Sequence, residues 1–328
     1  MLRFSFIGNA CGIFIGKNGT RVLCDPWLVD GVFEGSWCHY PPLKTKVEDV
    51  LGVDAVYVSH LHPDHFDDRH FNFAKDKPLI VLDHGRNFLP KKLQAMGYTN
   101  LIAIKECETV KFNELEITLF APFVKHAYED AELGNLIDSA MLISCDGVSA
   151  FDANDNNPGR FGDVSAAEMI GREYGPIGLA MLPYNGASGF PSCFDHFTDA
   201  EKVEKSRWVL GRNFELMREE ILAMKPRFVL PFAGAYVLGG DLRHKNAYLG
   251  TTTWDECADW LRERGITNVR CLREGDVLDC SLDPRLLRRI LDRRSHWNNA
   301  EIGCHISMRR IPDKYEPDLH TALQFFHL

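Results

Sequence analysis

The chain has 328 residues, of which 45% are hydrophobic and 25% charged, proportions of a globular protein able to bury a sizeable core. Its formal net charge of -9 argues against a general nucleic-acid or acidic-membrane binder, since both need a basic surface to recruit phosphates. No apolar run approaches the ~20 residues of a membrane span, and ten scattered cysteines without a C-x-x-C pair fit reduced thiols in a cytoplasm.

Leu2 to Ile7 and Ile13 to Ile15 read as strands, and Gly8, Asn9, Gly12 and Gly16 break the run that a signal peptide would need. Asn18-Gly19 then turns the chain into Arg21 to Cys24, a hairpin signal. That strand ends at Asp25-Pro26-Trp27. The aperiodic, aromatic segment from Trp27 to Leu43 is either a wall of a substrate pocket, with Trp27 touching the ligand, or an irregular packing segment. Lys46 to Leu51 reads as a short helix before the strand Ala55 to Val58.

That strand runs into Ser59-His60-Leu61-His62-Pro63-Asp64-His65, on which the rest of the reading depends. In extended backbone, residues two apart share a side, so His60, His62 and Asp64 can converge while His65 points back as the chain turns. Imidazole and carboxylate suit zinc, iron and manganese. Three histidines and an acid within six residues are seldom assembled for packing alone.

Downstream, Leu79 to Leu82 is a strand and Arg86 to Met96 a helix stopped by Gly97. Short β-runs follow at Leu101 to Ile104, Thr109 to Phe112 and Leu115 to Phe120, and a hairpin joins Ser139–Ser144 to Val148–Phe151 around Asp146-Gly147. The second strand of that hairpin ends in two acids, Asp152 and Asp155, one of which could instead cap the helix expected over Val164 to Tyr174. Gly178 to Leu182 leads to Pro183-Tyr184-Asn185-Gly186-Ala187-Ser188-Gly189, where Tyr184, Asn185 and Ser188 offer neutral hydrogen bonds to a ligand. Thr198 to Lys225 is a long helix, Phe228 to Phe232 a strand, Trp254 to Gly265 a helix, Val269 to Leu272 a strand and Pro284 to Arg294 an amphipathic helix. The apolar end of the chain, LHTALQFFHL, should pack on the body.

The run H-x-H-x-D-H at His60 to His65 resembles the signature of the metallo-β-lactamase superfamily, matching at all four positions. The resemblance implies an α/β chain with the four-layer αββα fold, expected here as a single domain with a C-terminal extension from about residue 281. It assigns His60 and His62 to one metal, Asp64 and His65 to a second, and Asp25 to supporting the cluster from behind. His126 lies where the third histidine ligand stands in the family, unless it is a solvated loop histidine. Asp155, with Asp152 as the alternative, takes the place of the carboxylate that bridges two metals. After Phe232, where many members carry a last histidine, this chain has Ala233-Gly234; either His244 substitutes or the second site is incomplete.

DPWL at Asp25, PYNGASGFPSCF at Pro183 and PFAG at Pro231, with the stretch from Trp297, look like the metallo-β-lactamase-like part of the CMP-N-acetylneuraminate hydroxylases; the ascorbate-6-phosphate lactonases are more distant cousins. Those hydroxylases carry a Rieske iron-sulfur domain, whose Cys and His pairs this sequence lacks, so oxygenase chemistry would need an external reductase. The expected function is that of a metal-dependent hydrolase, using a metal-bound hydroxide with one or two divalent ions, zinc ahead of iron or manganese, on a small anionic compound, with sugar- or nucleotide-linked compounds as candidates. Asp64 and Asp155 would orient the water and move the proton. The alternative is a non-haem di-iron oxygenase acting on a nucleotide sugar.

Overall fold

The computed structural model describes residues 1–85, 87–123, 138–159, 162–282 and 306–311. The first sheet is built on β1 (Arg3–Gly8), β2 (Cys11–Ile15) and β3 (Arg21–Cys24), joined by antiparallel hairpin pairing. It continues in parallel through β5 (Ala55–Tyr57), β6 (Leu79–Asp83) and β7 (Leu101–Lys105). The short β4 (Trp37–Cys38) lies apart, paired with β14 (Val237–Leu238). On the other side of β1 come β15 (Val277–Leu282) and β16 (Ile306–Ile311), so the sheet has eight strands in the order β16-β15-β1-β2-β3-β5-β6-β7.

The second sheet holds β8 (Thr109–Phe112), β9 (Leu115–Phe120), β10 (Ala140–Cys145), β11 (Val148–Asp152), β12 (Leu179–Pro183) and β13 (Phe228–Phe232). Its first four strands are antiparallel, and β11, β12 and β13 run parallel.

The sheets face each other across a buried layer in which Phe4, Phe14 and Tyr57 from the first meet Ile117, Met141 and Phe232 from the second. Such strands must be apolar on both faces, because each sheet is also covered outside. Helix α1 (Leu89–Ala95) and two 3-10 turns cover the first sheet, where Leu89 and Leu93 pack with Val56 and Leu79. Helices α2 (Ser165–Glu173), α3 (Asp199–Met224) and α4 (Trp254–Glu263) cover the second. The result is the four-layer αββα arrangement.

Helix α3 begins with a capping box, Thr198 and Glu201 each serving the other's backbone N–H, and its buried apolar side chains, Phe214, Met217, Ile221 and Met224, all lie in its second half. It crosses α2 at Gly171, where an added Cβ would stand 2.4 Å from the Met224 carbonyl oxygen. Gly171→Ala is therefore expected to destabilise the protein by about 1–3 kcal/mol through overpacking, read from the midpoint of urea unfolding.

Two expectations differ locally. The segment at Val269 makes a single parallel bridge to Val229 rather than a strand over Val269 to Leu272. The carboxylate at the start of α2 is that of Asp163, which accepts from the Ser165 N–H at 2.9 Å, so neither Asp152 nor Asp155 serves there. The helix expected over Pro284 to Arg294 lies outside the described residues. Among the described residues no helix is long and apolar enough to cross a membrane.

Candidate metal centre

Parallel pairing places the carboxyl ends of β3, β5, β11, β12 and β13 along one edge of the two sheets, and β10 starts there because it runs antiparallel to β11. Loops leaving such an edge can converge while the strands hold their roots fixed. Asp25 leaves β3, Ser59 to His65 follow β5, Asp138 precedes β10, and Asp155 follows β11. The loops are tied together below the centre: the Asn154 amide donates to the Ser139 carbonyl at 2.8 Å, the Ser139 hydroxyl donates to the Ser59 carbonyl at 2.9 Å, and the Tyr57 hydroxyl donates to the Ser139 carbonyl at 2.9 Å.

Two overlapping triads that share His60 could hold an ion: His60, His62 and Asp138, or His60, His65 and Asp155, with ligand atoms within 4.8 Å of one another in each. His60 Nε2 lies 2.7 Å from His62 Nδ1, 3.8 Å from Asp138 Oδ1 and 3.9 Å from Asp155 Oδ2. His65 Nε2 lies 3.5 Å from Asp64 Oδ2 and 3.5 Å from Asp155 Oδ1, yet it is buried without a hydrogen-bond partner among the described residues. A buried imidazole nitrogen left unbonded amid carboxylates is the arrangement a cation completes, and the donors present fit a divalent ion.

Behind these groups, Asp25 is fully buried. It accepts from the Ser59 N–H and hydroxyl, both at 2.7 Å, and pairs with His65 Nδ1 at 2.9 Å. This fixes which nitrogen of His65 faces the centre.

Electrostatics prepare the imidazoles differently. Burial, reinforced by the neighbouring His65, lowers the pKa of His60 to about 4, so its ring is neutral and free to ligate at neutral pH. Burial acts on His65 in the same direction, but Asp64, Asp155 and Asp25 outweigh it and hold its pKa well above the usual value. Burial also opposes the charge of Asp155, and His65 overcomes it, keeping the carboxylate ionised well below its usual range. In the metal-free protein at pH 7, His65 therefore carries a proton that an ion at Nε2 must displace. Metal uptake is expected to release about one proton and to tighten as pH rises toward the His65 pKa. Calorimetric titration in buffers of differing ionisation enthalpy measures this, and zero release would show His65 already neutral.

Of the anticipated residues, His60, His62, His65 and Asp155 meet in the triads, and Asp64 touches their edge through His65. Asp152 belongs to neither triad: it is fully buried and accepts from the Asn154 N–H at 3.1 Å, and burial, then Asp25, push its carboxyl pKa well up. His126 lies outside the described residues. His244 belongs to neither triad: it is exposed on a 3-10 segment, with Nδ1 at 2.8 Å from the Asp241 carbonyl.

The expected ligand contacts are corrected at three positions. Trp27 is fully buried and donates its indole N–H to the Val29 carbonyl at 2.8 Å, which makes it a packing residue. Tyr184 lies in the core beneath α3 and α4, closed to a substrate. Asn185 spends its amide tying Gly234 and Thr252 together, donating to both carbonyls and accepting from the Thr252 N–H. Ser188 is exposed, and its hydroxyl accepts from the Phe190 N–H at 3.0 Å. Asp138 was not singled out from the sequence, because a lone acid ahead of a strand carries no spacing signal. Its partners come from β5, far away in the chain.

Residues 3–148 match the model of the beta-lactamase superfamily domain. The chain is 29% identical over 258 residues to a Mycobacterium tuberculosis protein named as a Rieske 2Fe-2S iron-sulfur protein, covering 75% of this chain and 46% of that one. It is 26% identical over 250 residues to the cytidine monophosphate-N-acetylneuraminic acid hydroxylase of Asterias rubens, covering 72% of this chain and 35% of that one. The chain thus spans less than half the length of these relatives. Among solved structures, a possible metal-dependent hydrolase from Veillonella parvula superposes with a TM-score of 0.60 at 18% identity, over 85% of this chain and 99% of that one. CmlA, a diiron beta-hydroxylase from Streptomyces venezuelae, superposes with a TM-score of 0.57 at 17% identity, over 84% of this chain and 54% of that one. At these identities the structural likeness concerns the fold.

Proposed function

This chain carries a metallo-β-lactamase superfamily domain, and on that premise we propose that it is a metal-dependent hydrolase acting on a small anionic substrate. The observation that carries this reading is the convergence of His60, His62, His65, Asp138 and Asp155 at the strand edge, with His65 Nε2 buried and unbonded. When bound, a divalent ion lowers the pKa of water toward about 7 and polarises a carbonyl or phosphoryl oxygen. His60 offers a single neutral nitrogen, which either triad can use, and Ser59 holds that ring from behind, its hydroxyl 2.9 Å from Nδ1. The side chain of Asp155, ionised and about one-third exposed, is the group placed to hold and orient a bound water at the open side. Asp64 is steadied by the Asn9 amide, which donates to Oδ2 at 3.4 Å, and it can orient a bound nucleophile.

One observation favours a second reading, a non-haem di-iron oxygenase served by an external reductase. Among the described residues, each triad is two imidazoles with one carboxylate, a donor set that also suits iron in oxygenases. The likeness to the two hydroxylases supports the same reading. Elemental analysis with an optical spectrum, on protein purified without chelators, separates the two. Zinc or manganese with turnover in a screen of phosphoesters, lactones and amides is the expected result. About two irons per chain, with oxygen uptake in the presence of a reductant, would replace the first reading by the second.

A further inference from the structure

The loop that follows β13 comes back to the metal centre along two routes. Asn9 ties Ala235 to Asp64: its amide oxygen accepts from the Ala235 N–H at 3.0 Å, while its Nδ2 donates to Asp64 Oδ2 at 3.4 Å. The next residue, Tyr236, lies flat on Trp37, with ring centroids 3.4 Å apart and planes within 3° of parallel. From Trp37 the ring contacts run through Phe33, 4.5 Å away, to His62, 6.3 Å beyond it. Tyr236 thus stands beside the centre, held by the ring stack on one side and by its chain neighbour on the other.

The Tyr236 residue is only 6% exposed, yet its phenol oxygen is not sealed from solvent and makes no hydrogen bond among the described residues. Burial, then Asp64 and Cys193, push its pKa up, so it remains a donor throughout the neutral range. Asp64 in turn lies 3.5 Å from His65 Nε2, which counters its charge. An ammonium is brought to the same loop. β14 follows directly on Tyr236, and the Asn246 side chain clasps it, accepting from the Leu238 N–H at 2.7 Å and donating to the Leu238 carbonyl at 3.0 Å. That clasp positions the neighbouring Lys245, partly buried on the 3-10 segment Gly240–Tyr248. Lys245 Nζ donates to the sulfur of Cys193, the group that also acts on Tyr236, at 3.8 Å. Sulfur is a weak acceptor, and Lys245 has no carboxylate partner among the described residues.

We propose that the Tyr236 hydroxyl and the Lys245 ammonium receive an oxyanion of the substrate, a phosphate or a carboxylate group, at the open side of the metal centre. Both keep donor capacity that no acceptor of the protein takes up, and an anion held by them stands next to Asp64 and His62. Their part in turnover rests on the hydrolase reading; the binding of the anion does not.

The probes are inorganic phosphate and acetate, each titrated calorimetrically at constant ionic strength into the metal-loaded protein and into the chelated protein. A charge-assisted hydrogen bond is worth about tenfold in affinity and a neutral one about fivefold. Single-site binding is expected, tighter with metal bound, and the anion that binds more tightly identifies the group received. At unchanged metal content its affinity should fall about tenfold in Lys245→Met and about fivefold in Tyr236→Phe. Lys91→Met, exposed on α1, removes the same charge elsewhere and should leave it unaltered. Tyr236→Phe keeps the ring that lies on Trp37, and Lys245→Met keeps an aliphatic stem, so both variants should fold. Absence of binding in both forms, unaltered affinity in Lys245→Met or in Tyr236→Phe, or an equal loss in Lys91→Met overturns the proposal. Any of these in a protein that loads metal would leave the hydrolase reading intact. Binding that depends on Lys245 in a protein that takes up no metal would leave the two receivers standing and remove that reading.

Discussion

His60→Ala is expected to empty the centre of metal and lower turnover by more than about 100-fold, beyond the 10–100-fold typical of losing a supporting partner. The reason is geometric: His60 is the one residue common to both triads, its Nε2 facing His62, Asp138 and Asp155. His62 belongs to one triad only. His62→Ala should therefore abolish turnover while leaving metal at the other triad. Metal per chain after gel filtration, measured beside activity for both variants, tests this. Full occupancy with unchanged activity in His60→Ala would sink the centre described here. Because His60 is neutral and buried among histidines and carboxylates, its truncation also removes a cost of burial, so metal content decides the matter better than stability.

Asp25→Ala should have the largest effect on the fold itself. The carboxylate serves the Ser59 N–H, the Ser59 hydroxyl and His65 Nδ1, all in a region closed to water. Removing it strands those groups, at about 1–3 kcal/mol for each one left unpaired in the interior, and takes from His65 one of the three carboxylates that face it. Metal affinity should fall by about 10–100-fold, because the His65 ring loses the partner that fixes its orientation. Urea unfolding of the metal-free variant reads the first effect and a competitive metal titration the second. Asp25→Asn keeps the shape and one acceptor oxygen, so it should fall between the variant and the parent. Equal stability of Asp25→Ala and the parent would show the buried network to be dispensable.

The elements were legible wherever local pattern determines local structure. The alternation in β1, the Asn18-Gly19 turn and the capping residues of α3 each encode their geometry within a few positions. The strand-borne motif from His60 to His65 was legible for the same reason, since adjacent residues on one strand end must share a place. The loops were misread where residue type suggested a ligand contact: Trp27, Tyr184 and Asn185 are used instead for packing and for tying loops. A polar or aromatic side chain in a Gly-rich loop looks alike in sequence whether it faces a substrate or the interior.

The sequence by itself determined the histidine cluster, the supporting acid at Asp25 and the alternation of strands and helices that makes two covered sheets. Only the tertiary structure decided that Asp155 rather than Asp152 faces the imidazoles, that Asp138 joins them, and that His244 stands apart. Local pattern fixes the direction of a strand and the side of a residue. Which carboxylates converge depends on the register of β10 with β11 and on how their sheet packs against β5, contacts between segments some eighty residues apart, as the Tyr57–Ser139 bond across that separation shows.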